Sequence, residues 1–284
     1  MEKKLAARHG TDADSIIVTN GATEAIYLLA HAFSNGRSAI LAPTFREYQD
    51  ACGVFGHAVE FISSLDGIGG GHDMVWLCNP NNPTGRVHDR RRLLTAIDDN
   101  PATVFVVDQA YAAFSVGEVL SVGDVMARRN VVMLHSMTKQ FVVPGLRVGY
   151  AIGQAWILDR MRALRMPWSV NSIAVEAALY LVDHASDYVF DARTLHSEAE
   201  RVGLELTGLG MEVTATDCNF LLARLSRGTS AELKAWLIEK HGLLIRDASN
   251  FEGLTAGHFR VAAQSREENN ILINALEEWT SLFQ

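Results

Sequence analysis

A lysine with unusual neighbours follows an apolar run near the middle of the chain. The stretch HSMTKQFVVPGLRVGY (135–150) places Lys139 among hydroxyl and apolar residues, with Arg147 eight positions further on. A lysine amine can form a Schiff base with an aldehyde, and hydroxyl groups beside an arginine can bind a phosphate. Ser136 and Thr138 supply those hydroxyl groups. The pattern predicts that the fold holds this lysine at one place, next to an anion site.

Two further loops that follow apolar runs could also bind a ligand. TNGATEAI (19–26) leads into a helix-like stretch whose free backbone N–H groups could face an anion, although an ordinary strand–helix turn would look the same. NPNNPTG (79–85) presents its asparagines from a turn that two prolines stiffen. Asn82 in this turn could donate a hydrogen bond to an anionic or phenolic oxygen.

A third loop, VVDQAY (106–111), brings a carboxylate to the end of an apolar run. Asp108 would be costly to bury there without a cation, and Tyr111 follows it three residues later. A strand-end aspartate can keep a pyridine nitrogen protonated, which makes the ring an electron sink. Together with a Schiff-base lysine and a phosphate site, these groups match the chemistry of pyridoxal 5′-phosphate. No group with metal-ligand spacing is present, so we expect no metal.

Short apolar runs alternate with amphipathic stretches, and this predicts an α/β fold. Runs that are apolar throughout and separated by helices indicate a mostly parallel sheet covered on both faces. Helix-like stretches are found at 23–33, 89–99 and 154–164. The predicted strands are SIIVT (15–19), SAILA (38–42), AVEFI (58–62), MVWLC (74–78), TVFVVD (103–108), VVMLH (131–135) and RVGYAI (147–152).

The pattern changes after Pro167. A long helical stretch covers 171–208, and shorter strand-like and helix-like segments follow it to the end of the chain. We therefore predict a large α/β domain over 15–167 and a smaller α+β domain over 168–284. Residues 1–14 are expected to pack with the smaller domain.

The bulk properties exclude several classes of protein. Twenty-five basic and thirty-three acidic residues give a net charge of −8, which argues against a nucleic-acid or anionic-membrane partner. The first residues lack the apolar core of a secretory signal, and no apolar run reaches the roughly 18 residues that span a bilayer. Three well-separated cysteines fit a reducing cytoplasm. The glycine cluster GIGGGH (67–72) does not complete a dinucleotide fingerprint, which disfavours a nucleotide-binding domain.

These motifs, in this order, resemble the class I/II aminotransferase family of fold-type-I pyridoxal-phosphate enzymes. The resemblance covers residues 19 to about 270. It implies the type I transferase fold, which has a mostly parallel central sheet with helices on both faces and a smaller α+β C-terminal domain. It also implies pyridoxal 5′-phosphate as cofactor, a small-molecule amino acid as substrate and a homodimer in the cytoplasm.

The resemblance also implies a role for each matching position. Lys139 would form the Schiff base and then move the Cα proton, and Asp108 would pair with the pyridinium nitrogen. Asn82 and Tyr111 would bind the phenolic oxygen. Tyr111 would be the third catalytic residue, after Lys139 and Asp108. Arg260, in HFRVAAQ (258–264), would bind the substrate carboxylate. The other cofactor contacts would be Phe45 against the ring and Ala22, Thr23, Ser136, Arg147 and, less strongly, Thr138 around the phosphate.

Two departures from the family pattern stand out. Gln109 occupies a position where relatives usually have glutamate, and we expect little effect because that residue does not touch the cofactor. Relatives also have several dozen more residues before the TNGATE-like motif. We therefore expect either a truncated chain or a different closure over the substrate.

The most similar branch of the family contains threonine-phosphate decarboxylase and histidinol-phosphate aminotransferase. RMPWSVNS (165–172), LLIRDASNFEGL (243–254) and SREENNILINAL (265–276) resemble the decarboxylase more closely. The resemblance thus implies decarboxylation of a phosphorylated amino acid, with transamination of the histidinol-phosphate type as the alternative. A second alternative is a catalytically weak binding protein that has kept the fold.

Overall fold

The computed structural model describes residues 1–282, and its larger sheet has seven strands. The strands are β1 (Ile16–Thr19), β2 (Arg37–Leu41), β3 (Ala58–Ile62), β4 (Met74–Cys78), β5 (Val104–Asp108), β6 (Val131–Ser136) and β7 (Gly149–Gly153). Their order across the sheet is β1-β7-β6-β5-β4-β2-β3. All neighbouring pairs from β3 to β6 are parallel, whereas β7 is antiparallel to both β6 and β1. Each predicted strand is present, and the mostly parallel α/β sheet is confirmed.

Helices cover both faces of this sheet. Because side chains alternate along a strand, Trp76 on β4 packs in a core with residues of the helices at 21–32, 47–54 and 155–164. Val75 and Leu77 pack on the other face with Leu93 of the helix at 90–99. All five residues of β4 and of β5 are buried, which explains why the two strands are apolar throughout except for Asp108 at the end of β5. The helices of this part are α1 (Glu2–His9), α2 (Gly21–Ala32), α3 (Glu47–Val54), α4 (Arg90–Asp99), α5 (Val122–Met126), α6 (Met137–Gln140) and α7 (Ala155–Leu164).

The rest of the chain builds a four-stranded antiparallel sheet with its own core. Its strands, β8 (Glu212–Val213), β9 (Phe220–Arg224), β10 (Arg246–Asp247) and β11 (His258–Ala262), lie in the order β10-β11-β9-β8. The accompanying helices are α8 (Ser172–Asp183), α9 (Ala192–Gly208), α10 (Ser230–His241) and α11 (Arg266–Ser281). The short strand β8 was not predicted.

The long helical stretch predicted over 171–208 is two helices. A 3-10 helix, Ala185–Tyr188, separates α8 from α9, and Asp191 restarts the helix by accepting hydrogen bonds from the N–H groups of Arg193 and Thr194. The break has no proline or glycine, the usual signals of a helix end, which is why the pattern looked continuous.

Helix α1 packs on both sides of the predicted domain boundary. Leu5 and Ala6 share a core with Ile16 of β1, Tyr150 of β7 and Ala178 of α8. The division of the chain at residue 167 stays a prediction. Within residues 1–282, no helix combines the length and the apolar character needed to cross a membrane.

Candidate active site

Asp108 lies at the carboxyl edge of the larger sheet, where open α/β sheets bind ligands. It is 3% exposed, and its neighbour across the parallel pair is Cys78, the last residue of β4. Its Oδ1 accepts a hydrogen bond from the Ala110 N–H at 2.9 Å, and its Oδ2 accepts one from the Tyr48 hydroxyl at 2.9 Å. Burial raises the pKa of the carboxyl, while these two hydrogen bonds and the charge of Lys139 oppose the shift.

Lys139 reaches the same edge from α6, the short helix that follows β6. Its Nζ lies 5.8 Å from the centre of the Tyr111 ring. Part of the side chain is accessible to solvent, but surrounding protein desolvates the amine and lowers its pKa. The charges of Arg260 and then Arg147 lower the pKa further, and Asp108 acts in the opposite direction. A lysine with a lowered pKa has more of the neutral amine that attacks an aldehyde.

Asn82 joins the two sheets through its side-chain amide. Its Oδ1 accepts a hydrogen bond from the Arg260 guanidinium, which also lies 5.1 Å from the centre of the Phe220 ring. Because Oδ1 is used in this way, the amide Nδ2 is left to donate to a ligand. Tyr111 packs edge-on against Phe220, at 4.9 Å between ring centres. Burial raises the pKa of its phenol and Arg260 lowers it.

A compact anion cradle surrounds the N-terminus of α2. Gly21 has φ +77°, and a Cβ there would lie 2.6 Å from Nη2 of Arg147, so the guanidinium lies directly over the start of the helix. Gly149 pairs with Ser136 on one side and with Thr19 on the other. A Cβ on Gly149 would lie 2.6 Å from the backbone nitrogen of Ala22. Two glycines thus bring a helix N-terminus, an arginine and a hydroxyl together.

Other predicted phosphate contacts lie around this cradle. The hydroxyl groups of Ser136 and Thr138 are 2.7 Å apart, so Thr138 supports Ser136. Thr23 lies in the first turn of α2, one residue after Ala22. Arg147 has φ +56°, a left-handed conformation that is uncommon for a residue with a side chain and is often found at functional sites.

The donor set fits pyridoxal 5′-phosphate. The cradle offers backbone N–H groups, a hydroxyl and a guanidinium to a phosphate. Both observed donors to Asp108 are neutral groups, so a protonated ring nitrogen would supply the cation that a buried carboxylate needs. Asn82 and Tyr111 would meet the phenolic oxygen, and Phe45, which is half-buried, would cover the ring.

Two residues at the site were missed by sequence reasoning. Tyr48 is fully buried and contacts Asp108, and its only sequence signal is its position three residues after Phe45. Arg246 lies directly opposite Arg260 in the β10–β11 pair, which places the two side chains on one face of the smaller sheet. The Arg246 guanidinium donates to Asn250 Oδ1 at 3.0 Å, and both arginines line a cavity of about 660 Å³ whose lining residues all lie between 234 and 272.

Known proteins resemble this chain along nearly its whole length. The model of the family described as aminotransferase class I and II matches residues 1–276. The crystal structure of L-threonine-O-3-phosphate decarboxylase from Porphyromonas gingivalis is 38% identical, covers 99% of this chain and 88% of its own, and superposes with a TM-score of 0.95. Threonine-phosphate decarboxylase of Salmonella typhimurium is 30% identical over 97% of this chain and 80% of its own length. Histidinol-phosphate aminotransferase of Desulfitobacterium hafniense is 31% identical over 98% of this chain and 81% of its own length.

Proposed function

The chain belongs to the aminotransferase class I and II family of pyridoxal-phosphate enzymes, and we propose that it decarboxylates an O-phosphorylated hydroxy amino acid such as threonine phosphate. Relatives with this named activity include one that is 38% identical and superposes with a TM-score of 0.95. The sequence prediction of the family, the fold and the cofactor is confirmed, as is that of an enzyme rather than a weak binding protein. The substrate and the roles of individual residues are proposals.

The observation that carries this proposal is the pair of arginines on the smaller sheet. Arg246 and Arg260 are directly opposite each other on β10 and β11. The Arg246 guanidinium donates to Asn250 Oδ1 at 3.0 Å, and that of Arg260 donates to Asn82 in the loop after β4. Like charges placed opposite each other repel, and a bound anion would offset this repulsion. A substrate with both a phosphate and a carboxylate has enough negative charge to match them.

The proposed mechanism assigns a task to each group around Lys139. When bound, pyridoxal 5′-phosphate would supply an aldehyde for the substrate amine and a ring that accepts electrons from a bond to Cα. Asp108 keeps the ring nitrogen protonated, and Asn82 and Tyr111 fix the phenolic oxygen. The cradle of Gly21, Ala22, Ser136 and Arg147 holds the phosphate of the cofactor. Lys139 would donate the proton that replaces carbon dioxide at Cα of the substrate.

The orientation of the substrate decides which bond breaks. If Arg246 and Arg260 held the substrate phosphate, the carboxylate would be left without a cationic partner, and its loss as carbon dioxide would be favoured. If Arg260 instead held the carboxylate, the carboxylate would be retained and the Cα–H bond would be the one that breaks, as in transamination. The second arrangement is the alternative function, and a relative that is 31% identical and named histidinol-phosphate aminotransferase supports it.

Two parallel incubations test the proposal. One contains the protein with threonine phosphate, and the other contains it with histidinol phosphate and 2-oxoglutarate. We expect carbon dioxide from the first and little glutamate from the second. Glutamate from the second mixture, without carbon dioxide from the first, would show that the protein is an aminotransferase and not a decarboxylase.

We also propose a homodimer. Four apolar side chains between residues 142 and 173 are largely exposed in the single chain: Val142 at 69%, Met166 at 72%, Trp168 at 96% and Ile173 at 71%. Val142 and Trp168 also have positive φ, at 54° and 55°, which bulky residues adopt rarely. A second copy of the chain would remove this apolar surface from water.

A further inference from the structure

The hydroxyl group of Tyr48 contacts the carboxylate that the mechanism depends on most. The side chain of Tyr48 is completely buried, and its Oη lies 2.9 Å from Oδ2 of Asp108. In the described part of the chain, the only other donor to this carboxylate is the Ala110 N–H, which bonds to Oδ1. Tyr48 is therefore the one side chain, within residues 1–282, that donates a hydrogen bond to Asp108.

The packing around Tyr48 fixes the direction of that hydrogen bond. Its ring stacks on the indole of Trp76, with ring centres 5.8 Å apart and an interplanar angle of 21°. Phe45 meets the same ring edge-on at 5.8 Å and 85°. Trp76 is itself held by a hydrogen bond from its Nε1 to the buried hydroxyl of Ser38, at 3.2 Å. Aromatic contacts on two sides leave the phenol little freedom to turn away.

Burial alone would favour a neutral Asp108, which could not hold a protonated ring nitrogen. A hydrogen bond from a phenol stabilises the charged form of a carboxylate, and it acts strongly where water is excluded. We propose that Tyr48 is a positioning residue that keeps the Asp108 carboxylate ionised and aimed at the ring nitrogen of the cofactor. This inference rests on the proposed role of Asp108. If Tyr48 served only to stabilise the fold, its hydroxyl group could bond to any acceptor, and replacing it would not change the protonation of the ring nitrogen.

The test compares Tyr48→Phe with Tyr150→Phe in the intact protein. Tyr150 is also buried, and its hydroxyl bonds to the His9 ring nitrogen at 2.9 Å, so this control loses a buried tyrosine hydrogen bond that does not involve Asp108. Each protein is loaded with pyridoxal 5′-phosphate that is isotopically labelled at the ring nitrogen. The readouts are the chemical shift of that nitrogen at neutral pH and the dissociation constant of the cofactor.

We expect Tyr48→Phe to move the nitrogen signal toward the unprotonated form and to weaken cofactor binding about tenfold, a typical effect of one hydrogen bond to a charged group. Tyr150→Phe should change neither readout, and Tyr48→Phe should have no further effect in an Asp108→Asn background. A signal and a dissociation constant that both equal those of the wild type would overturn the inference. If the wild-type protein binds no cofactor, the proposed function fails instead.

A second variant covers the case in which Tyr48→Phe does not fold. A fluorinated tyrosine at position 48 keeps the ring and the hydroxyl group but makes the phenol a stronger donor. We expect the ring nitrogen to shift further toward the protonated form. An unchanged nitrogen signal in this variant would count against a role for Tyr48.

Discussion

The guanidinium of Arg260 on β11 donates a hydrogen bond to Oδ1 of Asn82, in the loop after β4. The two residues belong to different sheets, so this contact links the proposed substrate side of the site to the proposed cofactor side. A substrate anion that binds Arg260 would therefore affect the position of the Asn82 side-chain amide, which is proposed to face the phenolic oxygen of the cofactor.

Replacing Arg260 with alanine should weaken turnover much more than folding. Removing a hydrogen bond made by a charged group typically costs about 2 kcal/mol, which corresponds to a roughly 30-fold fall in kcat/KM. Arg224→Ala is the matched control, since Arg224 lies on neighbouring β9 and pairs with exposed Glu212. Steady-state kinetics with threonine phosphate check both variants. Equal losses in the two would show that Arg260 has no special role.

The strands of the larger sheet were predictable because burial on both faces demands apolar runs, as in β4 and β5. The loops that follow them were predictable because parallel strands end at one edge. The contact between Tyr48 and Asp108 was not predictable, because it joins residues 60 positions apart and depends on how α3 packs. The pairing of Arg246 with Arg260 likewise depends on strand register.

The cofactor-free protein should show a pH dependence that comes from Asp108. Burial raises the pKa of this carboxyl above its unfolded value of about 3.9. Between these two pKa values the folded state binds more protons than the unfolded state, so stability falls as pH rises and then levels off above the folded pKa. Urea unfolding is measured over a pH series for the wild type and for Asp108→Asn. The contribution of Asp108 is the difference between the two proteins in the free energy of unfolding. A difference that grows in favour of the wild type as pH rises would indicate a lowered pKa instead.

Gly149→Ala should damage the anion cradle. The added Cβ would lie 2.6 Å from the Ala22 nitrogen and 2.8 Å from the His135 carbonyl oxygen, and both are backbone atoms. We expect a loss of about 1–3 kcal/mol in the free energy of unfolding, together with weaker cofactor binding. Gly53→Ala is the control, since a Cβ at that position in α3 has nothing within 4 Å. Chemical denaturation and a cofactor titration check this. An unchanged affinity of Gly149→Ala for the cofactor would refute the proposed role of the cradle in phosphate binding.

Trp168→Asp should separate the proposed dimer into monomers. A charged side chain at the most exposed apolar residue of the patch would have to be buried without a partner in the interface. Leu204→Asp is the control, because Leu204 is also largely exposed, at 74%, but lies on α9. Light scattering during gel filtration measures the mass. A wild-type protein that is monomeric at micromolar concentration and has normal turnover would show that activity does not require a dimer.

Chemical mapping of the cofactor link tests the central claim most directly. The protein is loaded with pyridoxal 5′-phosphate, reduced with borohydride, digested and analysed by mass spectrometry. Because Lys139 is the amine at the carboxyl edge beside Asp108, Tyr111 and the anion cradle, we expect the reduced label on Lys139, and we expect none in Lys139→Ala. A label on another lysine, or a reducible link that persists in Lys139→Ala, would contradict the assignment of the site.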